Sequence, residues 1–418
     1  MKKKVLVISQ NFYPELGSAG NRIKNIYKLL SEENYDVRVL TTEPTYPNRN
    51  IYEDEQFWDD DSLNREVHDI KRIKVWNRKY SRSIINRLLY YLEIAFKMLF
   101  HILQDRNKYD VIFVTSPPIF IAFAGLLAKY RYRSRLILDI RDLWPETLKG
   151  VGVFNFPTIL SFFSKLEKLL YIKADHIVVN SQGFIDYIAH THGIPIDKIK
   201  FLPNSAREKE LSLKQAGEGE FTVIYAGNIG LAQDVKTLME LARQLNEYSI
   251  NLTVMGYGFK RLAFIDYIKE NNLTNVRFVK PSTRKECLDV ISSHHVGIVT
   301  LNDKKVFETV LPGKIVDYMT CGIPIVASVS GYSKEVIEKH EVGFVSESHN
   351  ATNMIKYILT LSMDSEVRAK FSQNALNYVS QHFLWEKNIH ILISLIEKSD
   401  SLYHVSKGKD SIEKVDGL

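Results

Sequence analysis

Four glycine-bearing stretches in this chain have the composition of anion sites. The first is Gly17-Ser18-Ala19-Gly20, followed by Asn21 and Arg22. The second, "YAGNIGLAQD", carries Gly227, Asn228 and Gly230, and the third, "VMGYGFKR", carries Gly256, Gly258, Lys260 and Arg261. The fourth, "FETVLPGKIVDYM", sets Pro312, Gly313 and Lys314 between Glu308 and Asp317. Glycine lets a backbone approach a ligand closely and turn with positive φ. Where a helix follows, its first N–H groups and its dipole favour negative charge. Pro312 suits the first turn of such a helix, because its missing N–H would be unpaired there. Lys314 adds a cation, and Asp317, one turn further in, has the reach of a sugar hydroxyl. Each stretch alone is equally a strand-to-helix connection. Together they point to a nucleotide diphosphate. None has the G-x-G-x-x-G spacing, so no nicotinamide or flavin cofactor is expected.

The elements that must position these residues are legible as short β-branched runs, each followed by a helical pattern. In the first half the runs are "KVLVIS", "DVRVLTT", "VIFVTS", "RLILDI" and "HIVVNS". Such runs read as strands buried on both faces. Helical patterns such as 21–34 and 157–174 lie between them, which implies a parallel sheet. The pattern lapses over 206–220, where charge rises, and restarts with "FTVIYAG", "NLTVMG", "NVRFVK", "VGIVTL" and "IPIVAS". Two α/β domains follow, 1–205 and 221–382, joined by a linker and facing across a cleft. A last helix at 383–398 and a polar tail at 399–418 close the chain. In such sheets ligands bind beyond the carboxyl ends of the strands, which is where the four stretches fall.

Composition narrows the class. The chain has 418 residues, 45% hydrophobic and 25% charged, with a formal net charge of +6. That is globular, and too diffusely basic to argue for nucleic acid as a partner. Two cysteines, Cys287 and Cys321, far apart in sequence, fit a reducing cytosol. "MKKKVLVISQ" is too short in apolar core for a signal peptide and reads as a first strand. No uninterrupted apolar run reaches the length of a transmembrane helix. Asp59 and Asp61 form a D-x-D, but no strand run precedes them, and no His–carboxylate spacing suggests a metal site. The expectation is no metal and no cofactor.

The combination of "FYPELGSAG", "FLPNS", "YAGNIG", "MGYG" and "DYMTCGIPIVAS" resembles family 4 of the retaining glycosyltransferases. The resemblance covers nearly the whole chain. It implies the GT-B fold, in which two Rossmann-like domains face each other and a C-terminal helix returns to the first; "FLW" at 383–385 resembles that helix's start. "DIRDLWPET", "GNIGLAQ" and "LPGKIVDYM" look like the subgroup of bacterial L-fucosamine transferases of capsule and O-antigen synthesis. That implies a UDP-sugar donor, an undecaprenyl-diphosphate-linked acceptor, and a metal-free hexosyl transfer with retention of configuration. The family's E-x7-E motif is altered: Asp317 takes the second acidic place, which implies a ribose contact. The first place is Thr309, and Glu308, which would inherit the sugar contact, is one residue out of register. The Arg and Lys that relatives use on the diphosphate are replaced by Asn228 and Asp234. Lys314 is then the first candidate for that cation and Arg261 the second. Asp142 and Glu146, in "RDLWPET", would face the acceptor; both are also readable as a cap and a structural carboxylate. A non-catalytic binding subunit and a UDP-sugar epimerase of similar fold remain alternatives.

Residues 83–104 form an amphipathic helix on a wheel. Asn86, Arg87, Tyr90, Glu93, Lys97, His101 and Gln104 take one arc, and Leu88, Leu92, Ala95, Phe96, Leu99 and Leu103 the other. Lys71, Arg72, Lys74, Arg78, Lys79 and Arg82 lie just upstream. An interfacial helix at the inner face of the cytoplasmic membrane and a core helix of the first domain both fit this pattern.

Overall fold

The computed structural model describes residues 2–64, 67–76, 84–152, 156–211, 219–346 and 349–398. Its first sheet has seven parallel strands: β1 (Lys4–Ile8), β2 (Asp36–Thr42), β3 (Ile70–Ile73), β4 (Val111–Ser116), β5 (Arg135–Ile140), β6 (His176–Val179) and β7 (Ile199–Phe201). They lie in the order β3-β2-β1-β4-β5-β6-β7. The second sheet has six: β8 (Thr222–Asn228), β9 (Asn251–Tyr257), β10 (Val276–Val279), β11 (Val296–Thr300), β12 (Ile325–Ser328) and β13 (Gly343–Ser346), ordered β10-β9-β8-β11-β12-β13. Each order reverses beside its first strand, the place where a doubly wound sheet opens a crevice. The central strands are apolar on both faces because helices cover both: β4 is buried along its whole length.

The helices of the first domain are α1 (Ser18–Glu32), α2 (Ile84–Gln104), α3 (Ile119–Tyr132), α4 (Glu146–Gly150), α5 (Pro157–Lys173) and α6 (Gly183–His192). Those of the second are α7 (Val235–Glu247), α8 (Arg261–Glu270), α9 (Arg284–Ser292), α10 (Gly313–Thr320), α11 (Gly331–Lys339), α12 (Ala351–Met363) and α13 (Ser365–His382). The final helix, α14 (Trp385–Glu397), returns to the first domain. There Trp385, Ile389, Leu392 and Ile396 join Val5, Val7, Ile23 and Ile26 in one core cluster.

Two backbone crossings connect the domains and are tied together. Ala206 N donates to the Phe383 carbonyl at 2.8 Å, and Trp385 N donates back to the Ala206 carbonyl at 2.9 Å. The segment expected as a linker begins as a paired hinge, followed by a 3-10 turn at Glu208–Glu210. Residues 212–218 of that linker and the tail 399–418 lie outside the described residues.

Helix α2 corrects the wheel. Its core stripe is Tyr90, Ile94, Met98 and Ile102, all buried. Tyr90, assigned to the polar arc, points inward and shares a hydrogen bond with Thr45 Oγ1 at 2.8 Å. Leu88, Phe96 and Leu103 from the assigned apolar arc are exposed, as are Leu89 and Phe100. The helix is apolar on two sides, and one of them faces outward. Arg72, counted among the surface cations, turns inward to the carbonyls of Leu63, Asn64 and Tyr13. Arg78, Lys79 and Arg82 lie outside the described residues.

Candidate active site

The carboxyl ends of the two sheets face one cleft of about 480 Å³, lined from both domains. From the first domain come the loop Tyr13–Gly17, the start of α1, and Asp142 and Thr147. From the second come Gly227, Asn228, Gln233, Tyr257, Arg284 and the start of α10. Gly17 sits at φ 109°, and a Cβ there would lie 3.1 Å from the Tyr257 hydroxyl of the opposite domain. Gly227, at φ 137°, would press a Cβ to 3.3 Å from Lys314 Cε. Both glycines are needed where they stand, since a side chain would carry backbone strain and narrow the cleft.

Pro312 is the N-cap of α10 rather than its first helical residue, with ψ 138°, and Gly313 begins the helix. This leaves the open N–H groups at the cleft, where they favour an anion. Lys314 Nζ donates to Tyr225 Oη at 2.7 Å and to Gln233 Oε1 at 2.8 Å. Both partners are neutral, and no carboxylate pairs with this lysine among the described residues. Burial accordingly pulls the ammonium down to about 7. An uncompensated cation in a cleft is held ready for an anion.

Asp317, one turn on, receives Arg284 Nη1 on Oδ1 at 2.6 Å. Burial raises its carboxyl above the ordinary range and the Arg284 guanidinium opposes that rise. Oδ2 takes no hydrogen bond among the described residues, which leaves it for a ligand.

The other predicted residues divide. Gly20 lines the cleft. Arg22 reaches the cleft wall, but its guanidinium is wholly buried on Asp139 at 2.7 Å and beneath the Trp385 ring. It is a core ion pair rather than a free cation, a correction to its expected role. Asn228 lines the cleft, whereas Gly230 and Gly256 lie behind it. A Cβ on Gly256 would stand 2.9 Å from the Gly227 carbonyl oxygen, and one on Gly230 2.7 Å from Asn228 Nδ2. These two glycines serve loop packing.

Arg261 is also displaced from the expected site: its Nε donates to the Gly256 carbonyl at 2.9 Å, and its guanidinium lies over Phe278. Lys314 is left as the cation.

Glu308 is exposed on a 3-10 turn, Lys305–Thr309, and does not line the cleft. That turn docks the domains together. The Ser181 hydroxyl donates to the Thr309 carbonyl, and a Cβ on Gly183 would lie 2.7 Å from Thr309 Cα. The stretch presents Phe307 and Val310 to the cleft instead of a carboxylate.

The acceptor-side pair is split as well. Asp142 lines the cleft, and burial pushes its carboxyl up to about 6, with Arg141 opposing. Glu146 heads the short helix α4, half-exposed, 4.0 Å from Lys149 and away from the cleft.

Sequence reasoning missed Glu15, Gln233, Tyr257 and Arg284. Glu15 is buried at the cleft with Oε1 accepting from Tyr46 N at 2.8 Å, and burial raises it to about 7. Its place two residues before Gly17 was the available signal. Arg284 opens α9 behind a Thr283–Glu286 capping box, and reads in sequence as a surface helix residue. Of the D-x-D pair, Asp59 lines the cleft and accepts from the Tyr13 hydroxyl at 3.0 Å, and Asp60, between the two, is bracketed by Lys24 and Lys28.

Comparison with known proteins agrees with this architecture. Residues 17–205 match the "Glycosyl transferase 4-like domain" model and residues 207–378 the "Glycosyl transferases group 1" model. The chain is 21% identical over 354 residues to a putative colanic acid biosynthesis glycosyl transferase, WcaI, of Escherichia coli K12, covering 79% of this chain and 84% of that one. It is 21% identical over 329 residues to the probable glycosyltransferase WbjE of Pseudomonas aeruginosa, covering 72% and 81%. Among solved structures, sucrose-phosphate synthase from Thermosynechococcus elongatus superimposes with a TM-score of 0.72 at 14% identity, over 97% of this chain and 100% of that one. Anabaena HepE in complex with UDP gives 0.66 at 15% identity, over 95% and 99%. With both halves matched and the two sheets facing one cleft, the chain belongs to the group 1, 4-like glycosyltransferases of GT-B fold.

Proposed function

We propose that this protein is a retaining hexosyltransferase that moves an N-acetyl-L-fucosamine-like sugar from a UDP-sugar to an undecaprenyl-diphosphate-linked saccharide, without metal, in surface-polysaccharide synthesis. The observation that carries the reading is Lys314, half-buried at a helix N-terminus without a carboxylate counterion among the described residues. A diphosphate leaving group needs positive charge as the glycosidic bond breaks, and Lys314 with the α10 amides supplies it. Asp317 Oδ2 takes a ribose hydroxyl. The bond from the anomeric carbon to the β-phosphate oxygen breaks, and the acceptor oxygen bonds to that carbon from the same face. The same-face approach retains the configuration, and the acceptor's proton passes to the departing phosphate, so no separate base is required. HepE, solved with UDP and with UDP-glucose, and the colanic acid relative support the donor class and the pathway.

The test is incubation with UDP-sugars and a lipid-linked monosaccharide, reading UDP release and the anomeric configuration of the product. Turnover with retained configuration, unchanged in EDTA, is expected. Inversion or loss in EDTA overturns the mechanism. Glu308, the carboxylate of this stretch, stays outside the cleft, which favours a second reading, a nucleotide-sugar binder; UDP binding without turnover of any donor would select it.

The acceptor's lipid gives the first domain a place at the inner membrane face. Helices α2, α3 and α5 pack in sequence along one side. They expose Phe96, Phe100 and Leu103, then Leu127 and Tyr130, then Phe162 and Ile172. Lys165, Lys168 and Lys173 are exposed on α5, a mixture suited to an anionic bilayer surface. No helix among the described residues is long and apolar enough to cross a membrane. Sedimentation with phosphatidylglycerol vesicles at low salt should carry the protein down, and Phe96→Ser with Phe162→Ser should release it. Wild-type protein that stays wholly in the supernatant removes this part of the proposal.

A further inference from the structure

The carboxylate assigned to the ribose is not an isolated side chain. Arg284 holds it from one side and reaches in the opposite direction to the hinge. Arg284 Nη1 bonds Asp317 Oδ1 at 2.6 Å, while Nε and Nη2 each lie 3.2 Å from the two oxygens of Glu210. All three side chains are largely buried, with fractional exposures of 24%, 28% and 15% for Arg284, Asp317 and Glu210. Glu210 ends the 3-10 turn of the interdomain linker, and its Oε2 also accepts from Arg207 N at 3.1 Å. Arg207 in turn bonds Glu386, at the start of α14, at 2.7 Å, and lies 3.5 Å from Glu32 of α1. A continuous chain of hydrogen bonds and ion pairs, passing through the Arg207 backbone amide, thus runs from the nucleotide wall of the second domain through the linker to two helices that pack in the first.

We infer that Arg284 is a positioning residue that fixes Asp317 for the nucleotide ribose and, through Glu210, couples nucleotide occupancy to the interdomain hinge. This rests on the nucleotide-sugar reading above.

Three features of the geometry support it. A guanidinium shared between two carboxylates holds both in fixed directions, because its planar fork satisfies each at a set angle. Asp317 is one methylene shorter than the glutamate of the family pattern, so where its free oxygen sits depends on how Oδ1 is held. The hinge to which Glu210 belongs is paired, Ala206 with Phe383 and Trp385, so a change in the 3-10 turn is passed to both crossings. A ligand shifts a conformational equilibrium when its contacts differ between the two states. Drawing Asp317 toward a ribose changes the load on Arg284, and hence on Glu210.

The experiment measures amide hydrogen exchange over residues 202–211 and 382–388, with and without UDP, in wild type, Glu210→Gln and Arg284→Lys. Glu210→Gln keeps the cap acceptor and removes the charge; Arg284→Lys keeps the charge and cannot span both carboxylates. In wild type, UDP is expected to slow exchange at both crossings about tenfold. In both variants at saturating UDP the slowing should fall below about twofold, a coupling loss of the size single contacts give. Arg284→Lys should also raise the donor KM about tenfold with a smaller change in kcat, the sign of lost ground-state positioning. If wild type does not bind UDP, the nucleotide reading itself fails. If wild type binds and slows, yet Glu210→Gln slows equally, the nucleotide reading stands and the coupling is overturned. A fall in kcat with unchanged KM in Arg284→Lys would overturn the positioning role.

Discussion

The two walls of the cleft differ in how they carry charge. On the first-domain wall the cations are already engaged. Arg22 is locked on Asp139, and Lys24 pairs with Asp60 at 3.1 Å. The acids there, Glu15 at about 7 and Asp142 at about 6, are pushed by burial toward the protonated form near neutral pH. On the second-domain wall Lys314 meets neutral partners, and Asp317 is held through one oxygen. One wall is prepared to take an anion, and under the proposed function the other offers its polar groups to a hydroxylated acceptor. The division of labour between the domains is therefore written in which charges are already paired.

The largest break of this contrast is Lys314→Ala. Removing the cation that a leaving diphosphate would meet should cut turnover about 100-fold or more, as removal of a charge-stabilising donor typically does. An effect below a few-fold moves that role to the helix amides alone. Across the cleft, Asp142→Asn should cost about tenfold in kcat, whereas Glu146→Gln should stay within about twofold, since a side chain outside the cleft contributes little. Equal effects of the two would show that the short helix α4 rotates into the cleft on substrate binding.

Much of this molecule was readable from residues alone, and the unread parts share physical causes. The ten strands found as β-branched runs include the whole centre of each sheet, where both faces are covered and periodicity is simple. The three not read, β3 "IKRI", β7 "IKF" and β13 "GFVS", are short and all sit at a sheet edge. Edge strands carry polar residues and leave too little pattern to detect. Lys314, Asp317, Asp142, Gly17 and Gly227 reached the cleft because strand ends dictate their location. Arg22 and Arg261 did not supply free cations, because a sequence gives a residue's place on an element and not its partner. Glu308 was lost to a domain contact at Ser181–Gly183, which no local pattern encodes. Arg284 stayed hidden for the converse reason: its value arises from Glu210 and Asp317, distant in sequence and joined only by the fold.

A third measurement sharpens the contrast through pH. Burial lowers the Lys314 ammonium to about 7, so above that pH most of the lysine is neutral. A bound diphosphate favours the charged form, so UDP binding at pH 8 should take up a fraction of a proton, and at pH 6 almost none. Affinity should weaken by up to about tenfold per pH unit above 7, the limit for one linked proton. Calorimetry in two buffers of different ionisation enthalpy reads the uptake directly. Lys314→Arg, which keeps its charge throughout, should abolish it. Uptake that persists in that variant would assign the proton to another group.

The smallest expected effect tests the opposite wall through stability. Glu15 is raised by burial from the ordinary carboxylate range to about 7, so the folded protein holds its proton where the unfolded chain has lost it. Stability from this group is full below the ordinary value and is lost as pH rises through about 7. Asp142 and Glu167, raised to about 6 and about 8 by burial, act in the same direction and remain in any single variant. Only the difference between proteins therefore isolates Glu15. Glu15→Gln keeps an acceptor for the Tyr46 amide and cannot ionise. The fall in unfolding free energy between pH 5 and pH 8 should be smaller in this variant by on the order of 1 kcal/mol, below the full shift because Arg141 and nearby polar groups relax around the charge. Urea unfolding at pH 5, 6.5 and 8 measures it. Parallel pH profiles for the two proteins would mean that Glu15 ionises as freely in the fold as out of it. The first-domain wall would then carry a standing negative charge at neutral pH, and the contrast between the two walls would be one of sign rather than of pairing.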